Sequence, residues 1–122
     1  MPRILVIDDD EQIRSMLRAV LEREGYEVET AADGGQGLKL FRKNSADLVI
    51  TDILMPEKEG LETVRELCDE FPEVKIIAIS GGGSLAHPEI YLELCRKFGA
   101  LRTFQKPVDR HELLGAVREI IG

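Results

Sequence analysis

Three aspartates and a serine in this chain stand where apolar runs stop, and a lysine stands just before a proline near its end. Asp8 and Asp9 follow Ile4-Leu5-Val6-Ile7, Asp52 follows Leu48-Val49-Ile50, Ser80 closes the stretch from Lys75, and Lys106 comes just before Pro107. Runs of this kind become strands buried on both faces of a sheet, and a carboxylate at the end of such a strand sits where desolvation is expensive. Several carboxylates brought together cannot all stay ionised without a counter-charge. A divalent cation and the Lys106 ammonium would supply it, so the pattern points to phosphate chemistry.

The elements that must position these residues alternate strand and helix along the whole chain, the rhythm of a parallel sheet covered on both faces. A strand at about residues 3 to 8 leads to a helix of about 11 to 24, with Ile13, Leu17, Val20 and Leu21 on one face and Gly25 as its stop. Asp10 reads as the cap of that helix. A strand near 27 to 31 precedes a helix opening at the N-cap Asp33, with Leu38 and Phe41 turned inward. A third strand at about 47 to 52 is followed by a loop at Met55-Pro56 and a turn ended by Gly60. Leu61, Val64, Cys68 and Phe71 then mark a helix that ends before Pro72. The fourth strand runs from Lys75 to Ser80. Gly81-Gly82-Gly83-Ser84 reads as a site loop before a helix carrying Tyr91, Leu94, Cys95 and Phe98. A strand around 102 to 106 and a helix from Asp109 to Ile121, with Leu113, Leu114, Val117 and Ile121 inward, complete the set.

In a parallel sheet all strand C-termini lie along one edge, and ligands bind beyond it where the strand order reverses. If the order is 2-1-3-4-5, strands one and three are neighbours about 4.8 Å apart, and Asp8, Asp9 and Asp52 converge. Lys106 lies two strands from Asp52, a gap of roughly 10 Å that an extended lysine largely bridges. Ser80 ends the strand between them.

Composition narrows the partners. At 122 residues the chain is expected to form one domain over residues 1–122. Its net charge of -7 argues against non-specific nucleic-acid binding, which depends on Lys and Arg neutralising phosphates. No apolar stretch approaches the roughly 20 residues needed to span a bilayer, and Met1-Pro2-Arg3-Ile4 runs straight into a strand rather than a signal peptide. No membrane insertion and a cytoplasmic location are expected. Cys68 and Cys95 fall within helical patterns and read as buried free thiols, and with His87 and His111 they give no zinc spacing. Neither histidine has a partner that suggests phosphotransfer from within the chain.

Four segments together resemble a response-regulator receiver domain, the phosphoacceptor half of two-component signalling. They are Val6-Ile7-Asp8-Asp9-Asp10, Thr51-Asp52-Ile53-Leu54-Met55-Pro56, Ile79-Ser80-Gly81 and Lys106-Pro107, in order and at the right strand ends. The resemblance runs end to end and implies a flavodoxin-like (βα)5 doubly wound α/β fold of the single-domain, chemotaxis type, with no attached output domain. It implies that Asp52 is the phosphoacceptor, that Asp8 and Asp9 form the acidic pair holding Mg2+, that Ser80 is the switch hydroxyl and that Lys106 pairs with the phosphoryl group. Leu54 can add its backbone carbonyl to the metal, and the Lys106-Pro107 bond is expected to be cis. The implied donor is a sensor histidine kinase or a histidine phosphotransfer protein. The implied output is a protein partner bound at the surface formed by the fourth helix, the last strand and the last helix. On this reading the chain is a signalling protein rather than an enzyme. Chemistry agrees: magnesium prefers oxygen ligands, a carboxylate can act as a covalent nucleophile, and metal plus lysine would neutralise the equatorial oxygens of a transferring phosphoryl group.

The sequence departs from the family pattern at three places. Where many receivers carry an aromatic residue three positions before the lysine, this chain has Thr103, with Phe104 next, and a one-residue offset puts a side chain on the opposite sheet face. Leu54 and Gly82 offer no polar side chain to orient an attacking water, which implies a long-lived aspartyl phosphate. The stretch from Ser80 to Lys106 is also longer than usual. Two other functions compete. Asp8-x-Asp10 resembles the nucleophile motif of haloacid-dehalogenase-type phosphatases, although such enzymes need a cap or a larger core and a later acidic pair, and Gln12 replaces their usual Thr or Val. The other is a non-phosphorylated flavodoxin-like binding module, either a nucleotide binder, for which no glycine-rich motif is present, or a degenerate receiver, against which the intact Asp9, Asp52 and Lys106 argue.

Overall fold

The computed structural model describes residues 2–53, 60–80, 93, 96–97 and 99–122. Five parallel strands, β1 (Arg3–Ile7), β2 (Glu27–Ala31), β3 (Leu48–Asp52), β4 (Ile76–Ser80) and β5 (Arg102–Gln105), form one sheet in the order β2-β1-β3-β4-β5. The helices α1 (Glu11–Arg23), α2 (Gly34–Lys43), α3 (Gly60–Glu70) and a last helix (Arg110–Ile121) cover it. Fold class and strand order are those expected from the sequence.

The strands alternate side chains between two cores because the pleat has a period of two. Leu5, Ile7, Val49, Ile76 and Ala78 face α2 and α3, where Leu38, Phe41, Val64 and Leu67 cover them. Ile4, Val6, Leu48, Ile50, Ile77 and Ile79 face α1 and the last helix, through Leu17, Leu21, Leu113 and Val117. β1, β3 and β4 are therefore sandwiched, which is why residues 4–7, 48–50 and 76–79 are unbroken apolar runs. The helices begin where side chains satisfy their free N–H groups. Asp10 accepts from Gln12 and Ile13, Asp33 from Gln36, and Asp109 from His111 and Glu112. Gly25, at φ +93°, lets the chain leave α1 in the left-handed region and turn into β2.

Several boundaries differ from the sequence expectation. β1 stops at Ile7 and β5 at Gln105, so Asp8 and Lys106 lie one residue past the ladder, free to point across the edge. Gly60 is the first residue of α3 rather than the end of the preceding turn. Cys68 is half-buried, not buried, and Ile13 and Val20 are half-buried at the margin of the α1 face. The bond between Lys106 and Pro107 is cis, as the resemblance implied. The expectations placed on Leu54, Met55-Pro56, Gly81-Gly82-Gly83-Ser84, His87, Tyr91, Leu94, Cys95 and Phe98 lie outside the described residues. No described helix is long and apolar enough to cross a membrane.

Candidate functional site

Strand register assembles the site. Ile7 pairs with Thr51 across β1 and β3, which sets Asp8 beside Asp52 at the same edge. Asp52 pairs with Ile79 and Ser80 with Gln105, so the lysine that follows Gln105 is two strands away. The Lys106 ammonium spans that distance and binds both acids, at 3.0 Å from Asp52 Oδ2 and 3.1 Å from Asp8 Oδ2. Asp8 and Asp52 are 1% and 3% exposed, so this is charge brought out of water and compensated inside the protein. Ser80 is fully buried at the end of β4, between acid and base, and its carbonyl accepts the Lys106 backbone N–H at 2.8 Å.

The ionisable groups feel this placement. Burial is the main reason the Asp8 carboxyl is raised above the ordinary aspartate value. The Asp10 N–H that it accepts pulls the other way, the Asp52 charge adds to the rise, and Lys106 lowers it. Burial alone would lower the Lys106 ammonium, but its hydrogen bonds and charge contacts with Asp52 and Asp8 outweigh this and hold it above its usual value. Lys106 is thus a fixed cation at neutral pH.

Asp9 is exposed where its two neighbours in the cluster are buried. One carboxylate oxygen from each of Asp8, Asp9 and Asp52 lies within 4.8 Å of the others. An all-oxygen set suits magnesium, whose ligands stand about 2.1 Å from the ion and hence about 3 to 4 Å from one another. The exposed position of Asp9 leaves room for the waters that this ion retains. The cluster could therefore hold such a cation, and it is the one acidic group of this kind among the described residues.

Every expected site residue that is described, Asp8, Asp9, Asp52, Ser80 and Lys106, reaches this edge. Leu54 and Gly82 lie outside the described residues. Sequence reasoning overlooked Arg14, whose Nη1 donates to the backbone carbonyl of Asp8 at 2.7 Å. A signal was available, because a cation near the N-terminus of a helix opposes the helix dipole and invites a search for its partner. Also overlooked was an apolar cleft of about 490 Å3 beside Lys106, lined by Ile13, Met16, Leu17, Ile79, Val108 and Arg110 among others.

The profile of the response regulator receiver domain matches residues 4–118. The chain belongs to the response-regulator receiver family. This receiver is 36% identical over 121 residues to the transcriptional regulatory protein CpxR of Klebsiella pneumoniae, covering 99% of this chain and 50% of that protein. It is 35% identical over 119 residues to the response regulator MprA of a Mycobacterium species, covering 98% and 50%. The chain thus spans about half the length of the curated relatives it matches. Among solved structures, a response regulator receiver domain protein from Clostridium thermocellum superposes with a TM-score of 0.90 at 35% identity, covering 99% of this chain and 94% of that one. The response regulator TrrA of Thermotoga maritima, solved in complex with Mg(2+)-BeF, gives 0.87 at 36% identity, covering 99% and 100%. The chemotaxis protein CheY4 of Vibrio cholerae gives 0.86 at 28% identity, covering 99% of both chains. Membership of this family displaces the phosphatase and nucleotide-binder readings.

One family feature is arranged differently here. Phe104 pairs with Ile79 and packs into the core beneath α1 and the last helix. Thr103, opposite Ala78, is the residue on the other face. The aromatic ring of this receiver's fifth strand is committed to the core.

Proposed function

We propose that this receiver accepts a phosphoryl group on Asp52 from a histidine kinase or a histidine phosphotransfer protein in the cytoplasm, in a magnesium-dependent step, and passes the change to a protein partner. The observation that carries this reading is the Lys106 ammonium shared between two buried carboxylates, at 3.0 and 3.1 Å. A structural ion pair needs one acid for one base. Among the described residues the acids here outnumber the base, which suits a site whose remaining charge is completed by a cation and a transferred group.

In the transfer, an Asp52 oxygen attacks phosphorus as the bond from phosphorus to the donor nitrogen breaks. The leaving imidazole keeps the electron pair and takes up a proton from water. Lys106 moves its hydrogen bond from the Asp52 carboxylate to a phosphoryl oxygen, neutralising charge where it develops. Magnesium, held by Asp8, Asp9 and Asp52 with the Leu54 carbonyl as a further donor, would supply the rest of that neutralisation. The Ser80 hydroxyl then donates to a phosphoryl oxygen. Because the Lys106 backbone is bonded to Ser80, serine and lysine respond together, and on this reading the change reaches the surface of β5 and the last helix, with the helix expected from the sequence between Ser80 and β5.

Incubation with acetyl phosphate and magnesium should add one phosphate per chain, read as a mass increase, and Asp52→Asn should abolish it. Equal labelling of Asp52→Asn would remove Asp52 as the acceptor.

A further inference from the structure

Asp9 is the exposed member of the acidic cluster, and its placement is set by the residues on either side of it. On one side, the Asp8 backbone N–H donates to Ala31 at 3.1 Å and the Asp8 Oδ1 accepts the Asp10 N–H at 2.9 Å. On the other, Asp10 is fixed to the start of α1 by accepting from Gln12 at 2.8 Å and Ile13. Between these anchors the peptide joining Asp8 to Asp9 could still rotate. Among the described residues its carbonyl is held by one side chain, Arg14, through the 2.7 Å bond from Nη1. The peptide group is planar, so fixing that oxygen also fixes the Asp9 nitrogen and Cα, and the anchored Asp10 on the other side restricts the torsions that remain, which confines where the Asp9 carboxylate leaves the chain.

We infer that Arg14 is a positioning residue for the metal-binding aspartates: it orients the Asp8–Asp9 peptide so that the Asp9 carboxylate faces Asp8 and Asp52. This rests on the reading of the cluster given above. The choice of acceptor matters. A guanidinium paired with a carboxylate would compete with a cation for its oxygens, whereas one bonded to a carbonyl takes up none of them. Lys106 does the opposite, occupying Oδ2 of both Asp8 and Asp52. The two cations therefore divide the work, Lys106 neutralising the acids and Arg14 aiming one of them. Arg14 is half-buried and lies in the opening turns of α1, where a positive charge is unfavourable for the helix, so the carbonyl bond is what holds it there.

Charge and positioning make opposite predictions for its removal. If Arg14 acted only through its field, deleting a cation close to a divalent site would tighten magnesium binding. If it positions Asp9, the same deletion loosens it. The test is calorimetric titration of wild type and Arg14→Met with magnesium alone, without a phosphodonor, together with amide spectra of the metal-free proteins. Arg14→Met should bind magnesium about tenfold more weakly, the lower end of what partners supporting a metal ligand are worth. Its Asp9 and Asp10 amide signals should move while those of β4 and β5 stay in place. Affinity equal to or tighter than wild type would overturn the inference. Should Arg14→Met fail to fold, Arg14→Gln, which also removes the charge, is read by the same criterion. A wild type that binds no magnesium would instead remove the metal-site reading itself.

Discussion

Two kinds of charge pairing coexist in this molecule. At the C-terminal edge of the sheet, Asp8, Asp52 and Lys106 share a buried network with more acid than base. On the outer surface, Arg42 clamps Glu70 through two hydrogen bonds of 2.7 Å each, and Arg118 with Glu24 and Arg102 with Glu119 join further elements. The Arg42–Glu70 contact has the better geometry, and it shifts both partners: their hydrogen bond holds Glu70 below and Arg42 above the usual values. Both groups nevertheless stand in water, where solvent and salt screen the attraction, so the shifts do not translate into stability. The edge network has taken its charges out of water, and removing one member changes what the others must do. Well-formed geometry marks the exposed pair, and burial with an imbalance of charge marks the one at the sheet edge.

Breaking the buried network should produce the largest effect. Lys106→Met leaves two buried carboxylates without their shared cation and should destabilise the fold by about 3 kcal/mol near pH 7.5, the lower end for an orphaned buried charge. Urea unfolding measures it, and a loss no larger than that of a surface lysine would erase the distinction between the two regions.

The opposite change should have the opposite sign and a smaller size. Asp8→Asn removes one of the excess acids and should stabilise the metal-free protein by about 1 kcal/mol at the same pH. The pH dependence follows from burial, which raises the folded Asp8 value. The folded chain keeps this proton at pH values where the unfolded chain has already lost it. The Asp8 contribution to stability is therefore full below the unfolded value near 4, and is lost as pH rises from about 4 through the raised folded value. Unfolding at several pH values from 4 to 8 should show that decline in the wild type, reduced in Asp8→Asn. An unchanged slope would mean that Asp8 does not carry the excess.

The smallest effect belongs to the surface. Glu70→Gln should leave the unfolding midpoint within experimental scatter despite its two short hydrogen bonds, and raising the salt concentration should not separate it from wild type. A clear loss there would show that α2 and α3 depend on this clamp.

Much of this was legible in the amino-acid sequence for physical reasons. A strand buried on both faces is dominated by apolar residues, so a charged residue ending one stands out, and Asp8 and Asp52 stood out that way, whereas Lys106 follows the partly exposed β5 and was marked by the proline after it. Asp10, Asp33 and Asp109 announced helix starts because helix N–H groups need acceptors. Other features depend on proximity without a local pattern. Arg14 binds a backbone carbonyl, and every residue has one, so no residue type marks the acceptor. Cys68 looked like core from its helical spacing, yet it remains half-buried. It lies against Gly99, where a Cβ would come within 2.4 Å of the Cys68 sulfur and φ is +128°, an encounter across distant parts of the chain. The strand ends fell one residue short of expectation at β1 and β5 because pairing, not hydrophobicity, decides where a ladder stops.

The strand order has a consequence for synthesis. β2 pairs with β1, β3 joins the other side of β1, β4 adds to β3 and β5 to β4, so no strand has to be inserted between two already paired. A chain emerging from the ribosome can thus enlarge the sheet outward in the order it is made. The acids at positions 8, 9 and 52 are then complete while the lysine at 106 is still to come. A nascent chain that has built only the first four strands carries its acidic edge without the charge of Lys106, and docking of the fifth strand delivers it. Closure of the sheet and completion of the site are the same event.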